Sequence, residues 1–432
     1  MAAETTGRWP GGMNNVDDVH ELGATRTTPA YLRDALNVDI DRNGKASRRQ
    51  GYKLLFSGAA HSLFGAAELP FGLVVFDGKL CWFDESEAPP EPLLPVDPNA
   101  RMSYVYSNGR IYWSNGQVRG FVLADKSIYP WGIDTPPIQP LLQTTATGGL
   151  DAGRYQVAIT WMRDINGDAG EESGAMQAAT IDVPAGFGIR LTAIPQPADP
   201  SCKFIRVYMS EADGDVLHSA AQLAVGATQY DLGKRALGRM LDTQMLDRMP
   251  PGTIVRAYRG RIYSVLGRRA VYSDPLRHGL TSRKGNYFDF PDDVVLFEPV
   301  EDGIYVGTSK QIFFLAGNDP KDFVLRPIEP RGAVPYSSCS AVGSDFGLDY
   351  AGPVACWWTT GGHLVLGSMS GQISHLTKKK LALPTYLSGA SMVRESGGQK
   401  QLVSSMRHPR DEGFGAADYA TVKIIRNGVV VQ

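Results

Sequence analysis

The sequence predicts an all-β chain: a degenerate β-propeller of about six to seven blades carrying an inserted immunoglobulin- or fibronectin-like β-sandwich. Three observations carry this expectation. Gly (48) and Pro (28) are frequent among the 432 residues. Apolar runs are short, often alternate, and are bounded by Asn-Gly, Asp-Gly, Gly-Gly or Pro-Pro. A strand, tight turn and strand unit recurs along the chain, as expected of small sheets that must stack on copies of themselves to bury their faces. Helical spacing is confined to the stretches 28–36 and 234–246, so helices are expected to be few.

The N-terminal arm and first hairpin are placed at 1–50. Asp39-Ile40-Asp41-Arg42-Asn43-Gly44 reads as a strand running into an Asn-Gly turn, with a returning strand at Lys45 to Arg49. The same residues match the opening of a calcium loop, with oxygen ligands at positions 1, 3 and 5 before a Gly. Position 12 is Gln50, which lacks the bidentate carboxylate, so the hairpin is the expectation and weak calcium binding the alternative.

The first part of the propeller is placed at 51–138, with hairpins at Asp77-Gly78 and Asn108-Gly109. Its second part is placed at 251–432, with turns expected at Arg259-Gly260, Asp302-Gly303, Gly361-Gly362 and Asn427-Gly428. Such turns need positive φ at their centre, which Gly and Asn supply at little steric cost, and they set which face of each strand is buried. Uneven spacing of these hairpins leaves a generic sandwich or barrel open as an alternative. Between the marks Pro136-Pro137 and Pro250-Pro251 lies a segment, 139–250, whose size and alternating strands fit one sandwich tethered by stiff joints. The apolar C-terminal pair around Asn427-Gly428 is expected to be ordered, completing a blade begun near Tyr52 to Phe56 or joining an adjacent subunit.

Charge and composition restrict the function classes. The 43 Lys and Arg against 45 Asp and Glu give a net charge of −2, which argues against wrapping of nucleic acid in a basic surface. No apolar run approaches the roughly 18 residues of a membrane span, and Met1 to Gly12 lack the layout of a signal peptide, so a soluble chain made in a cytoplasm is expected. Cys81, Cys202, Cys339 and Cys356 form no CxxC pair and read as buried free thiols. The histidines (His20, His61, His218, His278, His363, His375 and His408) show no HxH or HExxH spacing.

No phosphate-binding or dinucleotide glycine motif is present, and Gly367-Ser368-Met369-Ser370-Gly371 sits in hairpin text rather than at a nucleophile elbow. Glu171-Glu172 and Asp292-Asp293 are adjacent acids near aromatic text, read as solvated turns rather than a catalytic pair. A hydrolase whose carboxylates come from scattered blades stays a rival. Trp113, Trp357 and Trp358 are either glycan-stacking platforms or blade core, with core preferred. Lys378-Lys379-Lys380, Arg259 and Arg261 read as solvated charge before they read as a nucleic-acid contact. No catalytic, cofactor-binding or metal residue is assigned, and no cofactor is expected.

Several segments together resemble tailed-bacteriophage virion proteins of the tail-nozzle and related β-propeller type. At the N-terminus these are Gly11-Gly12-Met13-Asn14-Asn15-Val16, Leu36 to Gly44 and Arg48-Arg49-Gln50-Gly51-Tyr52. Downstream they are Pro250-Pro251-Gly252, Arg259 to Tyr263, Val271 to Pro275, Phe313 to Pro320 and Ala417 to Ala420. Tyr155 to Trp161, Glu171 to Ser173, Val207 to Ser210 and Tyr230-Asp231 resemble a fibronectin type III-like module. The resemblance implies a structural, non-enzymatic tail component in the virion. It implies a nozzle or hub ring, hexameric, contacting neighbouring tail or head-to-tail adaptor proteins, with DNA passing transiently and no membrane span. A near-neutral chain suits a conduit, because each Lys or Arg contact to phosphate would hold the passing DNA. A receptor- or glycan-binding tail module is the rival class.

Overall fold

The computed structural model describes residues 8–36, 38–41, 43–48, 53–86, 88–165, 168–282, 284–396, 399–409, 420–425 and 428–431. Among the described residues six four-stranded antiparallel sheets follow one another, at 60–95, 103–130, 254–289, 294–329, 339–375 and 388–431. Each is a meander, except that in the third the strand Leu280–Ser282 leaves to pair with Leu246–Arg248. These are the blades of a β-propeller fold, and they are numbered one to six below. Between the second and third stands a β-sandwich of a three-stranded and a five-stranded sheet, spanning 141–232. The chain divides into two compact units: 58–289, and 1–57 together with 290–432.

Local chemistry explains the hairpins. Asp77 (φ 47°) with Gly78 (72°), and Asn108 (50°) with Gly109 (74°), hold two-residue turns whose twist matches that of the flanking strands. Arg259 (48°) and Gly260 (72°) do the same despite the Cβ of an arginine. At Asp302-Gly303 the expectation is off by one residue. Val300 pairs with Gly303, so Glu301 and Asp302 form the turn. Gly303 is needed for close approach instead: a Cβ there would lie 2.5 Å from Phe314 Cζ. The Gly361-Gly362 turn is a longer loop, between the strands Pro353–Trp358 and Leu364–Gly367. Of the expected Asn427-Gly428 turn, Asn427 lies outside the described residues and Gly428 begins the strand Gly428–Val431.

Among the described residues the helices are four short 3-10 turns, and neither expected helical stretch is helical. Their amides are committed elsewhere: Tyr31 N donates to Leu22 O, Leu32 N to Gly12 O, Gly238 N to Ser219 O and Met245 N to Ala175 O. Pairing with neighbouring chain satisfies the backbone and overrides the local periodicity. The C-terminal strand Ala420–Ile425 pairs with Gln399–Arg407 and with Gly428–Val431. The sixth blade is therefore built from 388 onward and not from residues 53–56, which form no strand.

Successive blades within each unit pack face to face on apolar layers. Leu73, Val75 and Leu80 of the first blade meet Ile111, Trp113 and Val122 of the second. Leu296, Tyr305 and Phe314 of the fourth meet Trp357 and Val365 of the fifth. Val354, Trp358 and Leu364 of the fifth meet Leu402 and Met406 of the sixth, joined by Met13 and Ala35 of the N-terminal arm. Each Val, Leu, Ile, Phe or Met among them contributes about 1.5–3 kcal/mol of transfer free energy. The sandwich has its own core, where Val157, Ile159, Trp161, Ile205 and Val207 face Ile189, Leu191 and Leu232.

The expected first hairpin is present at Val38–Ile40 and Ala46–Arg48. Gly44 takes φ 78°, and Asp41 Oδ1 accepts from Asn43 N and Lys45 N, both at 2.8 Å. That carboxylate oxygen is thus occupied in closing the turn; Gln50 lies outside the described residues.

Candidate functional site: a buried arginine–carboxylate junction

The adjacent acids Glu171 and Glu172 do not lie in a solvated turn. Both stand on the sandwich strand Asp168–Glu172, which pairs with the long strand Gly153–Ile165. Neighbouring strand residues point to opposite faces, so the two carboxylates serve two different clusters.

Glu172, 8% exposed, lies over one face of the five-stranded sheet. Its Oε1 accepts from Tyr208 Oη at 2.6 Å and Thr160 Oγ1 at 2.5 Å. Its Oε2 takes Arg206 Nη1 at 3.3 Å and also Arg239. Burial, together with the hydrogen bond to Glu172, pushes the Tyr208 hydroxyl up to about 12, fixing it as a donor.

Glu171 joins the sandwich to the second blade. Its Oε2 lies 2.6 Å from Nη1 of Arg163, and its Oε1 lies 3.1 Å from Nη1 of Arg110 on the blade strand Arg110–Ser114. Arg163 is fully buried and uses its fork throughout. Nη2 reaches Asp199 Oδ2 at 2.7 Å and Gly132 O at 3.3 Å, while Nε donates to Ser201 Oγ at 2.7 Å. Burial alone would lower the Arg163 pKa, but Glu171 and Asp199 outweigh it and raise it. Asp199 shows the converse: burial pushes its carboxyl up, but hydrogen bonds from Ser201 and Arg163 prevail and hold it below the ordinary carboxylate value. The Arg110 guanidinium also lies 4.5 Å from the centroid of Phe121.

A second set of contacts closes the junction. Trp131, fully buried, donates through Nε1 to His278 O at 2.6 Å, and its own carbonyl accepts from Arg248 Nε at 2.8 Å. Tyr112 packs against both Trp131 and the His278 ring at 5.5 Å between centroids. Gly132 takes φ 75°, and a Cβ there would lie 2.4 Å from Gly279 O, so only glycine fits. His278, 5% exposed, has its pKa lowered by burial. Thr135 Oγ1 donates to Leu246 O at 3.3 Å, which brings the two ends of the inserted segment side by side.

Chemically this arrangement is a clamp. Each acid accepts from several donors at once, Glu171 from Arg163 and Arg110, and Glu172 from Tyr208, Thr160, Arg206 and Arg239, so their oxygens are committed to holding neighbouring strands together. Asp292 instead sits in a bend, with its carboxylate 2.7 Å from Lys310 Nζ. Trp113 is 3% exposed, and Trp357 and Trp358 are fully buried, so none is a platform for an external ligand. Ser370 lies in a 3-10 turn between strands, its amide donating to Asp302. Arg261 donates to Ser273 O, and Lys378 and Lys379 are exposed turn residues. Among the described residues no group of three or more His, Cys, Asp or Glu is placed to hold a metal ion, and no helix is long and apolar enough to cross a membrane. Sequence reasoning missed Arg110, Arg163, Asp199 and Arg239, which are scattered along the chain; the signal available was an arginine near the end of an otherwise apolar strand.

No protein-family model matches the chain, and no curated protein matches it either. Among solved structures it is similar to BBS1N in a complex with ARL6DN soaked with lead, at 9% identity and a TM-score of 0.35, covering 81% of this chain and 90% of that one. It is also similar to the Neurospora crassa Pan2 WD40 domain, at 8% identity and a TM-score of 0.32, covering 80% and 86%.

Proposed function

We propose that the protein is a structural component of a bacteriophage tail, a nozzle or hub ring subunit that forms part of the channel for genome ejection, and that it is not an enzyme. The observation that supports this reading is that several of the virion-like segments, among the described residues, supply fastenings inside and between blades. Gly252 N donates to Ser114 Oγ at 3.0 Å, tying the lead-in of the third blade to the second, and Ser264 Oγ donates to Pro250 O. Ser273 Oγ accepts from Ile262 N, and Asn286 Nδ2 donates to Asp274 Oδ1. Asn15 accepts from Ala382 N at 2.7 Å and donates to Ala382 O, anchoring the arm to the segment between the fifth and sixth blades. Segments that carry a resemblance and also hold the scaffold together are what a structural protein needs. The use of Glu171 and Glu172 as clamps favours the same reading over a hydrolase.

On this reading the partners are further copies of the chain, in a ring that the resemblance makes hexameric, together with neighbouring tail or adaptor proteins and DNA in transit. The protein resides in the virion tail. Negative-stain images of the pure protein beside intact particles test this. Rings that match a layer of the tail are expected. A protein that stays monomeric, is missing from particles and cleaves host surface polysaccharide would overturn the reading in favour of the hydrolase.

A further inference from the structure

Cys339 and Cys356 stand directly opposite one another on the antiparallel strands Cys339–Val342 and Pro353–Trp358 of the fifth blade. Both are free thiols, Cys339 half-buried and Cys356 fully buried. The register that opposes them runs on through Ser340 with Ala355 and Ala341 with Val354, so the two Cα atoms are held as direct cross-strand neighbours. Directly opposed residues have Cβ atoms about 4.5–5.5 Å apart, and a disulfide needs about 3.5–4.5 Å. A small closing movement of one edge strand therefore suffices. The other two cysteines are far apart in the fold, Cys81 in the first blade and Cys202 in the sandwich, each buried.

We propose that Cys339 and Cys356 are a redox latch, a modification site that a small-molecule disulfide such as oxidised glutathione converts into a cross-strand bond. Cys339, the more accessible thiol, attacks as its thiolate one sulfur of the reagent, forming a mixed disulfide and releasing one molecule of reduced thiol. Cys356 then loses its proton and attacks Cys339 Sγ, expelling the second reduced thiol. Two protein thiols are oxidised, one reagent disulfide is reduced, and two protons and two electrons pass to the reagent. The neighbouring Cys339 thiol and burial both hold the Cys356 pKa well above the ordinary thiol value. The second step is therefore the slow one and accelerates as pH rises. The bond closes a loop that includes the 3-10 turn Gly343–Phe346 and pins the edge strand Cys339–Val342 to its neighbour. The latch does not depend on the tail reading. If that reading holds, it closes when the particle leaves a reducing cytoplasm.

The test incubates the native full chain with excess oxidised glutathione at neutral and mildly alkaline pH, alkylates it under denaturing conditions and maps the peptides by mass spectrometry. Expected are two alkylated cysteines, Cys81 and Cys202, one linked peptide joining Cys339 to Cys356, faster linkage at the higher pH, and a melting temperature raised by about 5 °C. In Cys356→Ser, Cys339 is expected to retain the glutathione adduct. Four alkylated cysteines after oxidation, a link between any other pair, or a persistent adduct on Cys339 in the parent chain would each overturn the proposal.

Discussion

Two doublets of identical residues, Trp357-Trp358 in the fifth blade and Glu171-Glu172 in the sandwich, obey one geometric rule with opposite chemistry. Successive strand residues face opposite ways, and in each case both faces are covered. Trp357 packs on Tyr305 of the fourth blade at 5.2 Å between ring centroids, and Trp358 enters the layer shared with the sixth. Glu171 turns to Arg110 and Arg163, and Glu172 to Tyr208, Arg206 and Arg239. A doublet of bulky or charged residues in a strand thus marks a strand covered on both sides. The apolar pair stabilises by excluding water without regard to its partners' charge. The ionic pair stabilises only while every partner is present, because removing one leaves a buried charge uncompensated.

The largest expected effect breaks the apolar half. Trp358→Ala should lower stability by about 3–5 kcal/mol, through lost transfer free energy and the cavity left behind, measured by denaturant unfolding. Removing the ionic hub comes next. Arg163→Met should cost about 3 kcal/mol, because Asp199 and Glu171 lose their principal partner. A double-mutant cycle with Asp199→Asn should return a coupling of about 0.5–3 kcal/mol. Zero coupling would mean that the pair is decorative.

Acid should separate the two regions as well. Asp199 and His278 both have folded pKa values below their ordinary ones. Each therefore adds stability that is complete above its unfolded pKa and is lost as pH falls through the folded value. The junction should begin to weaken below about pH 6.5, when unfolded His278 takes up a proton, and weaken further below about pH 4, as Asp199 does. Hydrogen exchange followed by mass spectrometry would show this as early opening around 163–201 and 278, with the Trp357-Trp358 strand still protected. Simultaneous opening of both regions would erase the distinction. The smallest effect is at the first hairpin. Asp41→Ala should cost about 1 kcal/mol by removing two turn-closing bonds, and calcium should leave the melting temperature of the parent unchanged. A calcium-induced rise that vanishes in the variant would restore the calcium loop.

Turns whose conformation is dictated by one or two residues were legible in the sequence. Asp77-Gly78 and Asn108-Gly109 need positive φ and obtain it. Gly303 was misread because a glycine is also required where an aromatic ring presses on the backbone, as Phe314 does, and sequence does not separate the two demands. The aromatic doublet was legible as core. The acidic doublet was not, since its partners at 110, 199, 206 and 239 are brought to it only by sheet register and by packing of the sandwich on the second blade. Nor was the fastening of the arm through Asn15 to Ala382 legible. Deleting residues up to Thr28 therefore removes contacts that the arm makes with residues 290–432 of its own unit.

The central claim, a structural tail component, is tested most directly by weighing this chain in purified intact particles, as its molar ratio to the major capsid protein by quantitative mass spectrometry. The account predicts a small, fixed whole number of copies per particle, equal to the symmetry of one ring. A chain absent from particles, or present in a variable trace that washing removes, would contradict it.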